Sequence, residues 1–238
     1  MKKAILSMSV ALFMSACVTV EVNQEPEIQT PPKEKAEARI ALGMGYLDQG
    51  NMIKARENLE LAYEHAPKYY RSQLSLAHYY EKVGEDKKAR SMYEKSLSQN
   101  PENGNVLNNF GTFLCKQGEY EKADKFFNRA IEQPYYYQVA GSYENAAFCA
   151  LKSGKQEQAM AYFKRALDYE PMRFRSNLNL AKLEIESDML MDARLRLMRF
   201  SQSYGPRKEA LQLMIELETR AGNPELAEQY QAKLDKLS

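Results

Sequence analysis

The sequence of 238 residues has no tryptophan, only two histidines and only three cysteines. His65 and His78 have no i, i+4 histidine partner and no cysteine cluster near them, so a metal site of the usual nitrogen and sulfur ligands is excluded. A dominant charge is also missing: 33 Lys and Arg face 32 Asp and Glu. Without a one-sided field, nothing draws the chain to nucleic acid or to acidic substrates. No Gly-x-Ser-x-Gly elbow occurs, and Gly154-Lys155 lacks the upstream Gly and the following Ser or Thr of a phosphate loop. No catalytic residue, cofactor, metal or small-molecule substrate is therefore expected. The acidic residues are scattered over helix surfaces, where a solvated face is the ordinary reading.

Long hydrophobic runs are absent too. Lys2 and Lys3 form a positive head, and the apolar run Ala4 to Met14 is too short to span a bilayer as a helix. The run ends in Met14-Ser15-Ala16-Cys17, which resembles a bacterial lipobox, although Met14 stands where Leu is usual. That resemblance implies a signal peptide over residues 1–16 and a diacylglyceryl thioether on Cys17. An ordinary cleaved signal prefers a small residue where Met14 stands; a cytosolic chain with an apolar start is a third reading. At roughly 0.8 kcal/mol per buried methylene, several acyl chains make a stable anchor. Val18, where an Asp favours the inner membrane, implies by the same resemblance the outer membrane, facing the periplasm. Residues 17–35, with Pro26, Pro31 and Pro32 and no helical period, read as a tether. Such a coil spans roughly 23 Å relaxed and roughly 60 Å stretched.

From Ala36 the chain repeats itself. A Gly followed five residues later by Ala recurs at Gly50/Ala55, Gly84/Ala89, Gly118/Ala123, Gly154/Ala159 and Gly222/Ala227, with Asp188/Ala193 as a variant. Successive copies lie 34, 34, 36, 34 and 34 residues apart. A period of 34 marks the tetratricopeptide repeat, a pair of antiparallel helices. The expected fold is all-α, a right-handed superhelical solenoid of six such repeats over residues 36–238. The repeats fall near 36–69, 70–103, 104–139, 140–173, 174–207 and 208–238. Small residues such as Gly43, Gly111 and Ala55 let helices approach, and Tyr46 or Phe127 fills the space beside them. Gly50, Gly84 and Gly118 suit the left-handed turn that ends each first helix. Pro67, Pro101 and Pro171 stop the second helices. The last helix is polar enough to cap the stack, and the two extra residues near Pro134-Tyr135-Tyr136-Tyr137 form a loop whose tyrosines are expected to pack beneath it.

First helices are expected to line a concave groove through positions five, nine and twelve of each repeat. These are Ile40, Met44 and Leu47; Leu74, His78 and Glu81; Asn108, Thr112 and Cys115; Glu144, Phe148 and Leu151; and Leu178, Lys182 and Ile185. Repeat one alone is apolar at all three, and Leu42 and Tyr46 give its helix a second apolar stripe. The spare stripe predicts an exposed hydrophobic groove for a helix or an extended peptide, unless the tether or a neighbouring chain covers it. The expected groove set is Ile40, Met44, Leu47, His78, Asn108, Thr112, Phe148 and Leu151. Cys115 and Cys149, on neighbouring first helices, are expected to be buried free thiols, with a disulfide open in an oxidising compartment. Arg194, Arg196 and Arg199 read as a solvated helix face.

With leader, tether and repeats together, the chain resembles the type IV pilus biogenesis and stability lipoproteins of the PilF/PilW family, tetratricopeptide-repeat secretin pilotins. Cys17 with its leader, residues 41–62 and residues 106–127 (VLNNFGTFLCKQGEYEKADKFF) carry the resemblance. It implies a non-enzymatic scaffold, palmitoylated and anchored in the outer membrane, whose partners are the pilus secretin or other pilus assembly proteins. It further implies a role in secretin localisation or multimer assembly, and hence in pilus fibres, twitching motility and adhesion. A general periplasmic adaptor lipoprotein for outer-membrane protein or cell-wall machinery would share the anchor and the repeats. A repeat-regulated glycosyltransferase would need a second domain beyond residue 238.

Overall fold

The computed structural model describes residues 30–237. Expectations that fall before them (the signal peptide, the lipidated Cys17 and nearly all of the tether) lie outside the described residues. Twelve α-helices follow one another in six pairs, and no strand occurs among the described residues. The pairs are α1 (Pro32–Asp48) with α2 (Met52–His65), α3 (Tyr70–Lys82) with α4 (Asp86–Gln99), and α5 (Gly104–Lys116) with α6 (Tyr120–Ile131). Then come α7 (Val139–Lys152) with α8 (Gln156–Tyr169), α9 (Phe174–Glu186) with α10 (Leu190–Tyr204), and α11 (Lys208–Arg220) with α12 (Pro224–Asp235). This is an all-α tetratricopeptide superhelix. One boundary shifts: α1 begins at Pro32, so residues 32–35 are helical and not tether. Proline is well placed there, since the first helical residue has no intrahelical use for its N–H.

The pairs close by small-against-large packing. A Cβ added to Gly43 would lie 2.6 Å from Leu59 Cγ, and one added to Gly111 would lie 3.0 Å from the Phe127 ring. Opposite them the alanine column Ala55, Ala89, Ala123, Ala159 and Ala193 is fully buried. Large side chains one turn on (Leu59, Tyr93, Phe127, Phe163 and Leu197) fill the space that these small residues leave.

Each pair turns through the same device. The N–H of Asn51 bonds the Tyr46 carbonyl at 2.8 Å, and Glu85, Glu119, Lys155, Met189 and Asn223 repeat that bond to the residue five before. This six-to-one closure requires a left-handed residue just before its donor. Gly50, Gly84, Gly118, Gly154 and Gly222 supply φ between +74° and +78°, while Asp188 holds +62°. Asp is among the few non-glycine residues that tolerate that region, which keeps the fifth turn in register without the glycine.

Successive first helices touch one another (α1 with α3, α3 with α5, α5 with α7, α9 with α11), whereas the second helices make no comparable contacts with one another. The first helices are therefore the crowded side of the curve and line its inner face.

Candidate partner-binding groove

The structure divides the expected groove residues by position. Position nine stays open to solvent in every repeat described: Met44, His78, Thr112 and Phe148 are half-buried and Lys182 is exposed. Positions five and twelve mostly face the joint with the next repeat. Ile40 is only 4% exposed, packed with Ala36, Ala62, Ala66 and Tyr69, and Leu47 is 3% exposed, packed with Leu76 and Tyr79. The expected spare apolar stripe on α1 is thus mostly consumed by folding: Ala36, Ile40, Gly43 and Leu47 form a single buried row at i, i+4, i+7, i+11. Leu42, assigned to the packing face, is instead 50% exposed. Cys115, Glu144, Leu178 and Ile185 are likewise buried in joints, and Leu151 packs beside Ala147 and Phe163.

What remains open is a groove of about 530 Å³ at the inner face of the first three repeats. Met44, Leu74 and the edge of Ile40 line its apolar part, with His78, Ser75, Asn105 and Asn109 beside them. Tyr137, from the insertion between repeats three and four, closes one side. The loop that carries it has a built pedestal. Tyr136 lies against Gly104 so closely that a Cβ there would meet its ring at 2.4 Å, and its hydroxyl pairs with Ser142 Oγ at 2.8 Å. Of the three tyrosines only Tyr136 packs beneath the loop; Tyr135 and Tyr137 are 101% and 79% exposed, with Tyr135 at φ +61°.

The groove is nearly free of net charge. Its one strong cation, Arg71, is bound to Glu37 at 3.0 Å, and Glu37 also accepts the Tyr69 hydroxyl. Burial pushes the His78 imidazole below its ordinary value, despite the opposing pull of Glu81, so it is neutral near pH 7. Farther along, Asn108 Oδ1 accepts from Ser142 Oγ at 3.0 Å and from Asn145 Nδ2 at 3.1 Å, and Thr112 Oγ1 donates to the Asn108 carbonyl. Phe148 lies under the Arg175 guanidinium, 4.3 Å from ring centroid to carbon, and meets Phe163 edge-on.

Two further expectations are corrected. Cys115 and Cys149 are not free thiols: they form a disulfide with a Cα–Cα distance of 5.8 Å. Cys115 stands at position twelve of α5 and Cys149 at position ten of α7, 34 residues on, where the stacked first helices bring the two face to face. Arg194 and Arg196 are not a solvated pair either. Arg194 grips Glu218 through two bonds of 2.7 and 2.8 Å, and Arg196 grips Glu184 through bonds of 2.9 and 2.8 Å. Both carboxylates are buried, which satisfies two charges that the interior could not otherwise hold. Arg199 lies on an exposed face and has no such partner among the described residues.

Models of the tetratricopeptide repeat match residues 70–103 and 102–169. An uncharacterized protein of Haemophilus influenzae is 40% identical over 122 residues, 51% of this chain and 68% of that one. The type IV pilus assembly protein PilF of Pseudomonas aeruginosa is 29% identical over 235 residues, 99% of this chain and 93% of its own. The solved structure of Pseudomonas aeruginosa PilF superposes with a TM-score of 0.74 at 30% identity, covering 87% of this chain and 94% of that one. The chain belongs to the PilF/PilW family of type IV pilus tetratricopeptide-repeat proteins. PilW, described as a widely conserved type IV pilus biogenesis factor, superposes with a TM-score of 0.73 at 25% identity over 84% of this chain and 92% of its own. Membership in the PilF/PilW family makes this a tetratricopeptide protein of type IV pilus biogenesis.

The sequence reading missed a column that the structure places on the inner face. Position six of successive repeats holds Ala41, Ser75, Asn109, Asn145, Asn179 and Leu213, none of them buried. Its signal was present in the sequence, since three asparagines recur at the repeat interval, but only positions five, nine and twelve were followed along the inner face.

Proposed function

We infer that this protein is a lipid-anchored scaffold of the outer membrane that faces the periplasm. There it binds the type IV pilus secretin and promotes its localisation, multimer assembly or stability, and through it pilus formation and twitching motility. The observation that carries this reading is the likeness to PilF over 99% of the chain, leader included. A solenoid with an open inner groove supports it, because such a surface holds a partner without transforming it. The leader ending at Cys17 supports the anchor, and the tether after it would let the repeats work away from the lipid.

Deletion of the gene, scored by secretin multimers in outer-membrane fractions, tests the reading. Multimers and piliation are expected to fall together and to return with the wild-type chain. Return with a Cys17→Ser chain at full level would remove the lipid anchor from the account, and normal multimers in the deletion strain would remove the secretin. Met44→Glu provides a narrower probe: Met44 is half-buried at the groove, so helix content should persist while secretin co-purification is lost.

A further inference from the structure

The geometry points to the inner face as a reader of main chain: the column of Ser75, Asn109, Asn145 and Asn179 forms rungs for an extended, uncharged polypeptide segment whose apolar side chain seats at Met44 and Leu74. The inference rests on the reading of the inner face as the docking surface and specifies what docks there.

The rungs are anchored alike. Asn109 Nδ2 donates to the Asn105 carbonyl and Asn179 Nδ2 to the Arg175 carbonyl, both at 2.8 Å; Ser75 Oγ donates to the Arg71 carbonyl at 2.7 Å. In each case the residue four before fixes the side chain by one donor. Asn145 is fixed instead by Asn108 Oδ1 at 3.1 Å. Each asparagine retains a carbonyl oxygen and a second N–H, and no group among the described residues takes them. A side-chain amide presents one donor and one acceptor, which is the complement of a peptide group.

That complement selects the shape of the occupant. A helix has already spent its main-chain N–H and C=O groups on itself, except at its ends, so a column of amides along its flank meets nothing to bond. An extended segment carries those groups free. Where first helices pack in succession, as α3, α5 and α7 do, neighbours lie roughly 8–10 Å apart; an extended chain advances roughly 3.4 Å per residue, so the rungs from Ser75 to Asn145 meet about every third peptide group.

Charge selects its composition. Among the described residues the apolar end of the groove offers no unpaired charge, because Arg71 is held by Glu37 and burial keeps His78 neutral. A carboxylate entering there would lose water and find no clamp. An apolar side chain would instead meet Met44 and Leu74, with the exposed Tyr137 ring able to cover it.

The test uses the full chain, immobilised, and synthetic peptides that tile the secretin and the other pilus assembly proteins of the same organism. Uncharged peptides with one large apolar residue are expected to bind. Asn109→Ala, Asn145→Ala and Asn179→Ala should each weaken them about two- to tenfold, and the triple variant should lose them, with thermal unfolding unchanged. N-methylation of the peptide backbone at every third amide from the apolar residue should weaken binding to the same extent, and elsewhere should not. The inference is overturned if the triple variant binds the peptides as the wild type does. It is also overturned if N-methylation has no positional effect, or if only folded domains and no peptides are captured. Persistence of secretin multimers in the deletion strain would sink the secretin reading alone. Peptides of another assembly protein, lost in the triple variant, would then still support the rungs.

Discussion

The disulfide between Cys115 and Cys149 closes a loop of 34 residues between the first helices of repeats three and four. Removing that cross-link frees the unfolded chain to explore more conformations, and for a loop of this length the entropy is worth about 4 kcal/mol. If the array melts as one unit of about 200 residues, its unfolding entropy of about 0.4 kcal/mol per kelvin turns that figure into a lowering of about 9 °C. Repeat arrays often melt in pieces, so the effect should concentrate in the middle of the chain. The assay compares oxidised protein, protein reduced and kept reduced, and the Cys115→Ala/Cys149→Ala variant, by far-ultraviolet circular dichroism and by hydrogen exchange resolved on α5 and α7. Reduction keeps both sulfur atoms in their buried places, so it isolates the covalent bond from packing. Protection on α5 and α7 should fall more than on α11 and α12. Equal midpoints with and without the bond would refute the reasoning, as would losses spread evenly over all repeats.

Replacing Glu218 with Gln leaves Arg194 without its counter-charge and should cost about 2 kcal/mol at neutral pH, read by denaturant unfolding. The bond from Arg194 holds the Glu218 carboxyl below the usual range, with Asn223 adding to it, although burial opposes both. Its contribution is therefore complete above the ordinary carboxylate value of about 4.3 and disappears as pH falls through the lower folded value. Acid titration of the wild type should loosen the last two repeats in that window, and Glu218→Gln should flatten the response. Gly43→Ala puts a Cβ at 2.6 Å from Leu59 Cγ, and calorimetry should show a loss of about 1–2 kcal/mol despite the better helix propensity. Asp188→Gly relieves a left-handed aspartate at φ +62° and should raise stability by about 0.5–1 kcal/mol; a fall would mean that its exposed contact with Arg220 matters more than the backbone.

The architecture was legible because it is written in a period. Gly50 to Asp188 mark the turns, Ala55 to Ala227 the close contacts, and both depend on local chemistry that one repeat contains. The inner face was less legible because it depends on how one repeat leans on the next. Leu47 looked spare when α1 was set only against α2, yet Leu76 and Tyr79, which help to bury it, come from the next repeat, while Ile40 is closed by Ala62, Ala66 and Tyr69 at the end of α2 and the approach to α3. The same lean brings Cys115 to Cys149 and gives Arg194 a carboxylate on α11. Arg196 was hidden differently, since its partner Glu184 sits only twelve residues away, on the same repeat's first helix. The asparagine column escaped because amides carry little hydrophobic signal, although their spacing announced them.

The insertion between repeats three and four has a bearing on how this solenoid can change in length. Ring arrays and rods built from interchangeable units usually gain or drop whole modules at any boundary. Here the middle boundary is singular, because a covalent bridge crosses it and Tyr136, seated against Gly104, pairs its hydroxyl with Ser142 on the other side. A duplication spliced there would separate the cysteines and part Tyr136 from Ser142 at once, whereas the seam before α11 is crossed by the Arg194–Glu218 pair, which no covalent bond reinforces. The midpoint of the array is thus tied covalently, and among the described residues the other seams are held by packing and ion pairs.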